Sequence, residues 1–363
     1  MLKIIRFGFV FLALSGCGGG SEGPPSSPRL VVTADWLNQS LSLLDYEKLA
    51  ASATAQEALV DTIDLSAWTP GPLEIELTPD GATAVVSVSP GFFGSVAVLI
   101  GSPAIPDGGT LLLVDLASGT ATELMTADVP LGIAISPDGT RAYTANYGTT
   151  DAVGTTLSVI DIPNKTVLAD IEIGARPEQV ALSPDGSLGI VNVASEGGIR
   201  VFETADVEGT LSPVIATGSD PSDVSFLDTN DRAVVTNSLS ATVVLLDTSD
   251  PSAPMVIDTL AVPLPPYGVT YVPERDELLA PNGITADLVT LTRTAGDGLA
   301  EGGTLDLPGG AFPLAAITAP GGELAFVAHL VDHKLTIIDL AAGTSRAIEW
   351  LTEPGPTYVA IQP

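Results

Sequence analysis

The chain reads as all-β, a seven-bladed β-propeller of four-stranded antiparallel blades, and three observations carry that reading. Pro72, Pro130, Pro177, Pro221, Pro266 and Pro313 each open a short apolar run, and Pro356 opens a seventh that the chain end cuts short. Their separations are 58, 47, 44, 45, 47 and 43 residues, the stride of a propeller blade. Between the prolines the patterning is of β type throughout. The seventh repeat supplies one strand, and the N-terminus supplies the three that complete its blade.

In chain order, residues 1–16 place Lys3 and Arg6 before the apolar stretch Phe7 to Leu14. That is an export signal too short to span a bilayer permanently. Leu14-Ser15-Gly16-Cys17 resembles the bacterial lipobox, which implies acylation of Cys17, the single cysteine of the chain. Gly18 follows it, and the absence of Asp there implies the outer membrane, on its periplasmic or surface side, in a two-membrane cell. Residues 17–28 offer no apolar side chain to bury after Cys17 and read as a flexible tether. The folded body then occupies 29–363, without disulfides, so packed sheets must hold it together. A net charge of −31 excludes nucleic acid as a partner and leaves the acyl chains to hold the protein on a membrane.

Leu30 to Ala34, Ser40 to Asp45 and Asp61 to Leu65 read as the three N-terminal strands, with the Ala-rich Glu47 to Leu59 forming a short helix between the last two. Pairing them with Thr357 to Ile361 closes the ring and removes its open edges. Repeat two shows the common layout: a strand from Pro130, the turn Ser136-Pro137-Asp138-Gly139, then Ala142 to Asn146, Leu157 to Asp161 and Asp170 to Gly174. Nine residues after each proline stand Gly81, Gly139, Gly186, Asn230, Arg275 and Gly322, a position that predicts positive φ in the first hairpin turn, with Arg275 the exception. Acids recur at the end of the third strand, at Asp45, Asp115, Asp161, Glu203, Asp247 and Asp339. Recurrence in almost every repeat points to turn capping rather than catalysis.

Ser-Pro-Asp-Gly at 136–139 and 183–186, Val234-Val235-Thr236-Asn237, and Leu157 to Asp161 resemble the YVTN family of seven-bladed propellers over nearly the whole body. The third repeat departs from it, with Val193 where Asn is expected and Asn192 one place earlier, and the first has Val88. The resemblance implies the fold, and it implies several unlike activities: surface proteins, lactonases and subunits of larger complexes.

The loops from second to third strand and the links between blades share one face. That face collects Trp36, Trp68, Phe92, Phe93, Tyr147, Tyr267, Phe312 and Trp350, of which Trp36, Phe92, Phe93, Tyr147, Tyr267, Phe312 and Trp350 are the candidate partner-binding residues. The insertion Pro90 to Gly109 accounts for the long first stride and is the first place to look for binding. Immediately after the seven prolines come Leu73, Leu131, Glu178, Ser222, Tyr267, Leu314 and Thr357, a largely apolar channel mouth that suits contact better than hydrolysis.

The chemistry on offer is sparse. His329 and His333 flank Asp332, but on a loop, and His329 stands where other repeats have Asn146, Asn237 and Asn282, so no metal site is assigned. There is no Gly-x-Ser-x-Gly elbow, no phosphate-cradling glycine loop and no Cys-x-x-Cys-His, hence no cofactor. The reading is a lipid-anchored, non-catalytic scaffold for a protein or glycan partner. The alternatives are a lactonase-type hydrolase, for which Arg176, Glu178 and His329 are the nearest anion clamp, acid and base, and a non-catalytic subunit of a periplasmic redox complex.

Overall fold

A computed structural model describes residues 28–51, 53–90, 108–149, 151–263, 265–283, 285–308, 310, 312–350 and 354–363. The export signal, Cys17, most of the tether, and Phe92 and Phe93 of the insertion lie outside them. Seven four-stranded antiparallel sheets form the body. Each blade is a meander whose first strand is innermost: Pro72–Leu77, Ile133–Ile135, Pro177–Leu182, Pro221–Phe226, Thr270–Val272, Pro313–Thr318 and Pro356–Ile361 for blades one to seven.

The ring closes as the sequence predicts. Blade seven has the order Pro356–Ile361, Leu30–Asp35, Ser40–Asp45, Leu59–Asp64, with Val31 opposite Ile361 and Asp35 opposite Pro356. Leu30 therefore enters the ring beside the end of the innermost strand, on the face of the first-to-second strand turns, where Gln362 Nε2 donates to the Gly81 carbonyl at 2.7 Å. The Ala-rich segment forms two short helices, Tyr46–Ala50 and Ala55–Ala58, rather than one. Asp45 caps the first and Thr54 with Glu57 builds a capping box on the second, which stops each helix being continuous with the other.

Every blade is sandwiched between two others, so both faces of its inner strands must be apolar. Leu111, Leu112, Leu113 and Val114 are all buried. Alternate members separate accordingly: Leu112 and Val114 join Val32, Leu43 and Ile75 between blades seven and one, whereas Leu111 and Leu113 join Ile133 and Ile160 between blades one and two. The fourth strands face water on one side and are polar, as in Thr166–Glu172. That strand starts four residues before the Asp170 expected, because Lys165 at φ 55° completes a tight turn after Asp161. The loop between the second and third strands is shorter than the gap from Asn146 to Leu157, since Arg141–Gly148 and Val153–Asp161 extend into it.

The turn chemistry follows the sequence closely. Gly81, Gly139, Gly186 and Gly322 have φ of 67°, 70°, 73° and 65°. In repeat five a 3-10 turn, Pro273–Arg275, shifts the left-handed residue to Asp276 at φ 49°, which accounts for Arg275. Asn230 does not take positive φ. The recurring acids cap: Asp115, Asp161 and Asp339 accept from the backbone N–H three residues on, at 2.7, 2.9 and 2.8 Å. Asp247 accepts from Ser249 N at 2.9 Å. In blade three Glu203 cedes this role to Asp206, which caps the helix Val207–Thr210 through Gly209 N.

Candidate functional site

The inner strands bring two layers of side chains to the axis. The upper layer, one residue after each proline, packs into a plug: Leu73, Leu131 and Leu314 join Trp36 and Leu330, with Tyr147, Tyr267 and Tyr358 against them. The expected contact surface is thus closed by burial, Leu73 and Leu314 each being 1% exposed. Trp36 is 3% exposed and its Nε1 donates to the Ser89 carbonyl at 3.1 Å, so it seals the mouth from within. Across this layer Tyr267 of blade five donates its hydroxyl to Glu178 Oε1 of blade three at 2.6 Å.

The lower layer, two residues after each proline, is polar: Glu74, Gln179, Asp223 and Tyr358 occupy four of its positions. Gln179 Nε2 donates both to Glu74 Oε2 at 2.6 Å and to the Tyr358 hydroxyl at 2.9 Å, tying blades three, one and seven together across the axis. Gly132 makes room for that reach, since a Cβ there would lie 2.3 Å from Gln179 Oε1 and 2.5 Å from the Glu178 carbonyl oxygen. Glu74 Oε1 also accepts from Ile133 N at 2.9 Å, and Asp223 Oδ2 from Val269 N at 2.7 Å.

Below these bars an axial chamber of about 440 Å³ opens on the turn face, past Pro137, Ser183, Pro184 and Pro273. It lies on the opposite face from the one the loops favour. Enclosure dominates the electrostatics here, because a carboxylate withdrawn from water is disfavoured. Burial pushes Glu76 and Asp223 up to about 7 and Glu74 well above its ordinary value. Burial likewise lifts Glu178 to about 8, against the opposing Tyr267 hydrogen bond.

Of the three hydrolase candidates, two converge. Arg176, in a left-handed conformation at φ 53°, stacks its guanidinium 4.9 Å over the Tyr147 ring and donates to the Thr149 carbonyl at 3.1 Å, close enough to Glu178 to act on its charge. His329 stands apart in blade six, fully buried. Its ring nitrogens face the Gly310 carbonyl at 2.8 Å and Thr336 Oγ1 at 2.9 Å. The equivalent Asn146 and Asn237 also bond to the third strand, at Thr156 and Thr242, so His329 does an asparagine's structural work. Among the described residues no group of three His, Cys, Asp or Glu could hold a metal.

The other described loop-face aromatics, Trp68, Phe312 and Trp350, are half-buried. Trp68 Nε1 donates to Glu123 at 3.2 Å, Trp350 packs against the core between blades six and seven, and Phe312 sits at φ 57° just before Pro313. What stands out from this face is aliphatic: Leu239 at 78%, Met125 at 72%, Val153 at 49% and Leu37 at 37% exposure. These positions do not recur from repeat to repeat, so no periodic signal marks them. The polar layer does carry a signal, at the second place after the prolines.

No family model matches the chain, and no curated protein matches it in sequence. Solved structures share its architecture. The periplasmic gluconolactonase PpgL of Pseudomonas aeruginosa is 17% identical with a TM-score of 0.69, covering 93% of this chain and 99% of its own. A proposed 6-phosphogluconolactonase from Bacteroides uniformis is 16% identical with a TM-score of 0.70, covering 92% of this chain and 100% of its own. Hydrazine synthase of Kuenenia stuttgartiensis is 16% identical with a TM-score of 0.60, covering 93% of this chain and 99% of its own. At such identities the likeness is one of fold.

Proposed function

We propose that this chain is an exported, lipid-anchored propeller that takes a protein partner on its loop face without catalysing a reaction on it. The observation that carries the reading is the set Leu37, Met125, Val153 and Leu239, which projects apolar surface from that face above a mouth already sealed by Leu73, Leu131 and Trp36. Exposed aliphatic and methionine side chains are worth burying against another protein's apolar surface, and they offer no polar group to a glycan. The YVTN resemblance and the lipobox at Cys17 fit such a role. The test is capture of co-purifying protein by the acylated chain from its own membrane, repeated with Met125→Asp and Leu239→Asp together. A partner held in fixed stoichiometry and lost with the pair supports the reading; capture unchanged by the pair, or a partner that proves to be a glycan, removes it.

A second reading rests on Arg176 beside Glu178. An acid held protonated near neutrality next to a guanidinium is what lactone hydrolysis asks of a site, and PpgL is named a gluconolactonase. Lactone turnover by the purified chain, abolished by Glu178→Gln and by Arg176→Met with folding retained, would establish it over the binding module.

A further inference from the structure

One face between blades departs from the apolar rule. On the side of blade seven turned to blade six, Val31, Leu44 and Leu59 join the apolar core that the two blades share. Nearer the loop face the same alternation brings Thr33, Asp35, Ser40, Ser42 and Thr62 to that side. Thr33 and Asp35 are fully buried, and Ser40 and Ser42 are nearly so. Asp35 is satisfied within the blade, accepting from Thr33 Oγ1 at 2.8 Å and from Ser42 Oγ at 2.5 Å. Against the two outer strands of this blade, away from the axis, lies a cavity of about 250 Å³ lined by Asn38, Ser40, Ser42, Gln56, Thr62 and Trp350. No charged side chain lines it, in a chain of net charge −31. Asn38, Gln56 and Thr62 are exposed, and their amides and hydroxyl have no hydrogen-bond partner among the described residues. Asn38 is nonetheless fixed in place, because its backbone N–H donates to the Pro354 carbonyl at 3.2 Å. Trp350 Nε1 is enclosed and has no acceptor. Across the hairpin, beside the pair Lys334 and Glu349, His333 Nδ1 is enclosed without a partner as well. An enclosed indole N–H with no acceptor costs stability that a phenylalanine in its place would not.

We propose that this cavity between blades six and seven binds a single neutral hexopyranose ring. The lining selects that class. A cation meets no carboxylate there, since that of Asp35 is taken by Thr33 and Ser42. An anion meets no Lys, Arg or His. An apolar ligand would take two amides and a hydroxyl out of water with nothing in exchange. A pyranose carries hydroxyls around its rim that both donate and accept, and amide and hydroxyl side chains answer both roles. Its C–H face is a flat apolar surface for an indole, and its hydroxyl oxygens are acceptors of the kind that Trp350 Nε1 lacks. Asn38 and Gln56 reach the cavity from the loop after the first N-terminal strand and from the second short helix, so one ring would be held between segments that no other blade possesses. The site shares no residue with the set Leu37, Met125, Val153 and Leu239, and its failure would leave the loop-face reading standing.

Saturation-transfer difference NMR on the detergent-solubilised full chain tests it, with glucose, galactose, mannose and N-acetylglucosamine, each also as its methyl glycoside. The expected result is saturable transfer to at least one of these sugars, strongest at the ring C–H protons. Asn38→Ala together with Gln56→Ala should weaken that binding at least about fivefold, Trp350→Ala should abolish it, and Glu208→Gln at a distant exposed acid should leave it unchanged. The two amides are exposed and hold nothing else in the fold, so their double variant stays informative if Trp350→Ala fails to fold. A methyl glycoside that binds as well as its parent marks the end of a glycan as the ligand, and one that is excluded marks a free sugar. No saturable transfer to any of the four sugars, affinity unchanged in the double variant, or equal transfer to cyclohexanol would overturn the proposal.

Discussion

At the scale of single residues, the positions after each repeat proline carry most of the meaning. The first was legible as a ring of channel residues, but not as a plug, because whether Leu73 or Trp36 faces out or in depends on packing between blades distant in sequence. The second position, with Glu74, Gln179, Asp223 and Tyr358, was legible only as a polarity pattern; the bond from Gln179 to Glu74 spans 105 residues and no local signal announces it. Gly132→Ala tests the crossing directly: a Cβ 2.3 Å from Gln179 Oε1 must displace it, and we expect a loss of about 1–3 kcal/mol in denaturant unfolding. His329 gives a complementary test. His329→Asn keeps a polar side chain for the bond to Thr336 and should cost under about 1 kcal/mol, whereas His329→Leu leaves the Gly310 carbonyl and Thr336 hydroxyl unmatched and should cost about 1–3 kcal/mol.

At the scale of elements, the first strands of blades two and five start at Ile133 and Thr270, three and four residues after their prolines, and second strands were legible within two residues because a turn precedes them. Fourth strands were not, since they lie outermost, carry weak alternation, and shrink to Ile215–Ala216 in blade three. The Velcro-like closure was legible from strand counting alone. Removing Pro356 to Pro363 strips blade seven of its innermost strand and frees the edge of Leu30–Asp35. It also removes Thr357, whose hydroxyl donates to the Ala34 and Pro72 carbonyls at 3.0 and 3.3 Å. We expect hydrogen exchange to show loss of protection in blades one and six as well as seven; protection lost in blade seven alone would mean that the blades are energetically separate.

At the scale of the whole molecule, proton linkage is unusual in sign. Asp35, Glu76 and Asp223 are raised to about 7 and Glu178 to about 8, burial being the first cause in each. The folded state therefore binds more protons than the unfolded one from roughly pH 4 to 8, and stability falls as pH rises across that window. Capping carboxyls such as Asp80, Asp115 and Asp138 are lowered by their turn hydrogen bonds; their contribution is lost only on acidification below about pH 4. The thermal midpoint should thus peak near pH 5 and decline by pH 8.5, with Glu178→Gln flattening the decline; a midpoint that climbs from pH 5 to 8 would contradict it. The net charge of −31 adds self-repulsion that salt relieves. Finally, Leu30 joins the ring on the turn face, and this sets an orientation. On the proposed acylation of Cys17, that point of entry would stand the body on the bilayer with its chamber downward, over the headgroups, and its loop face held up to whatever passes.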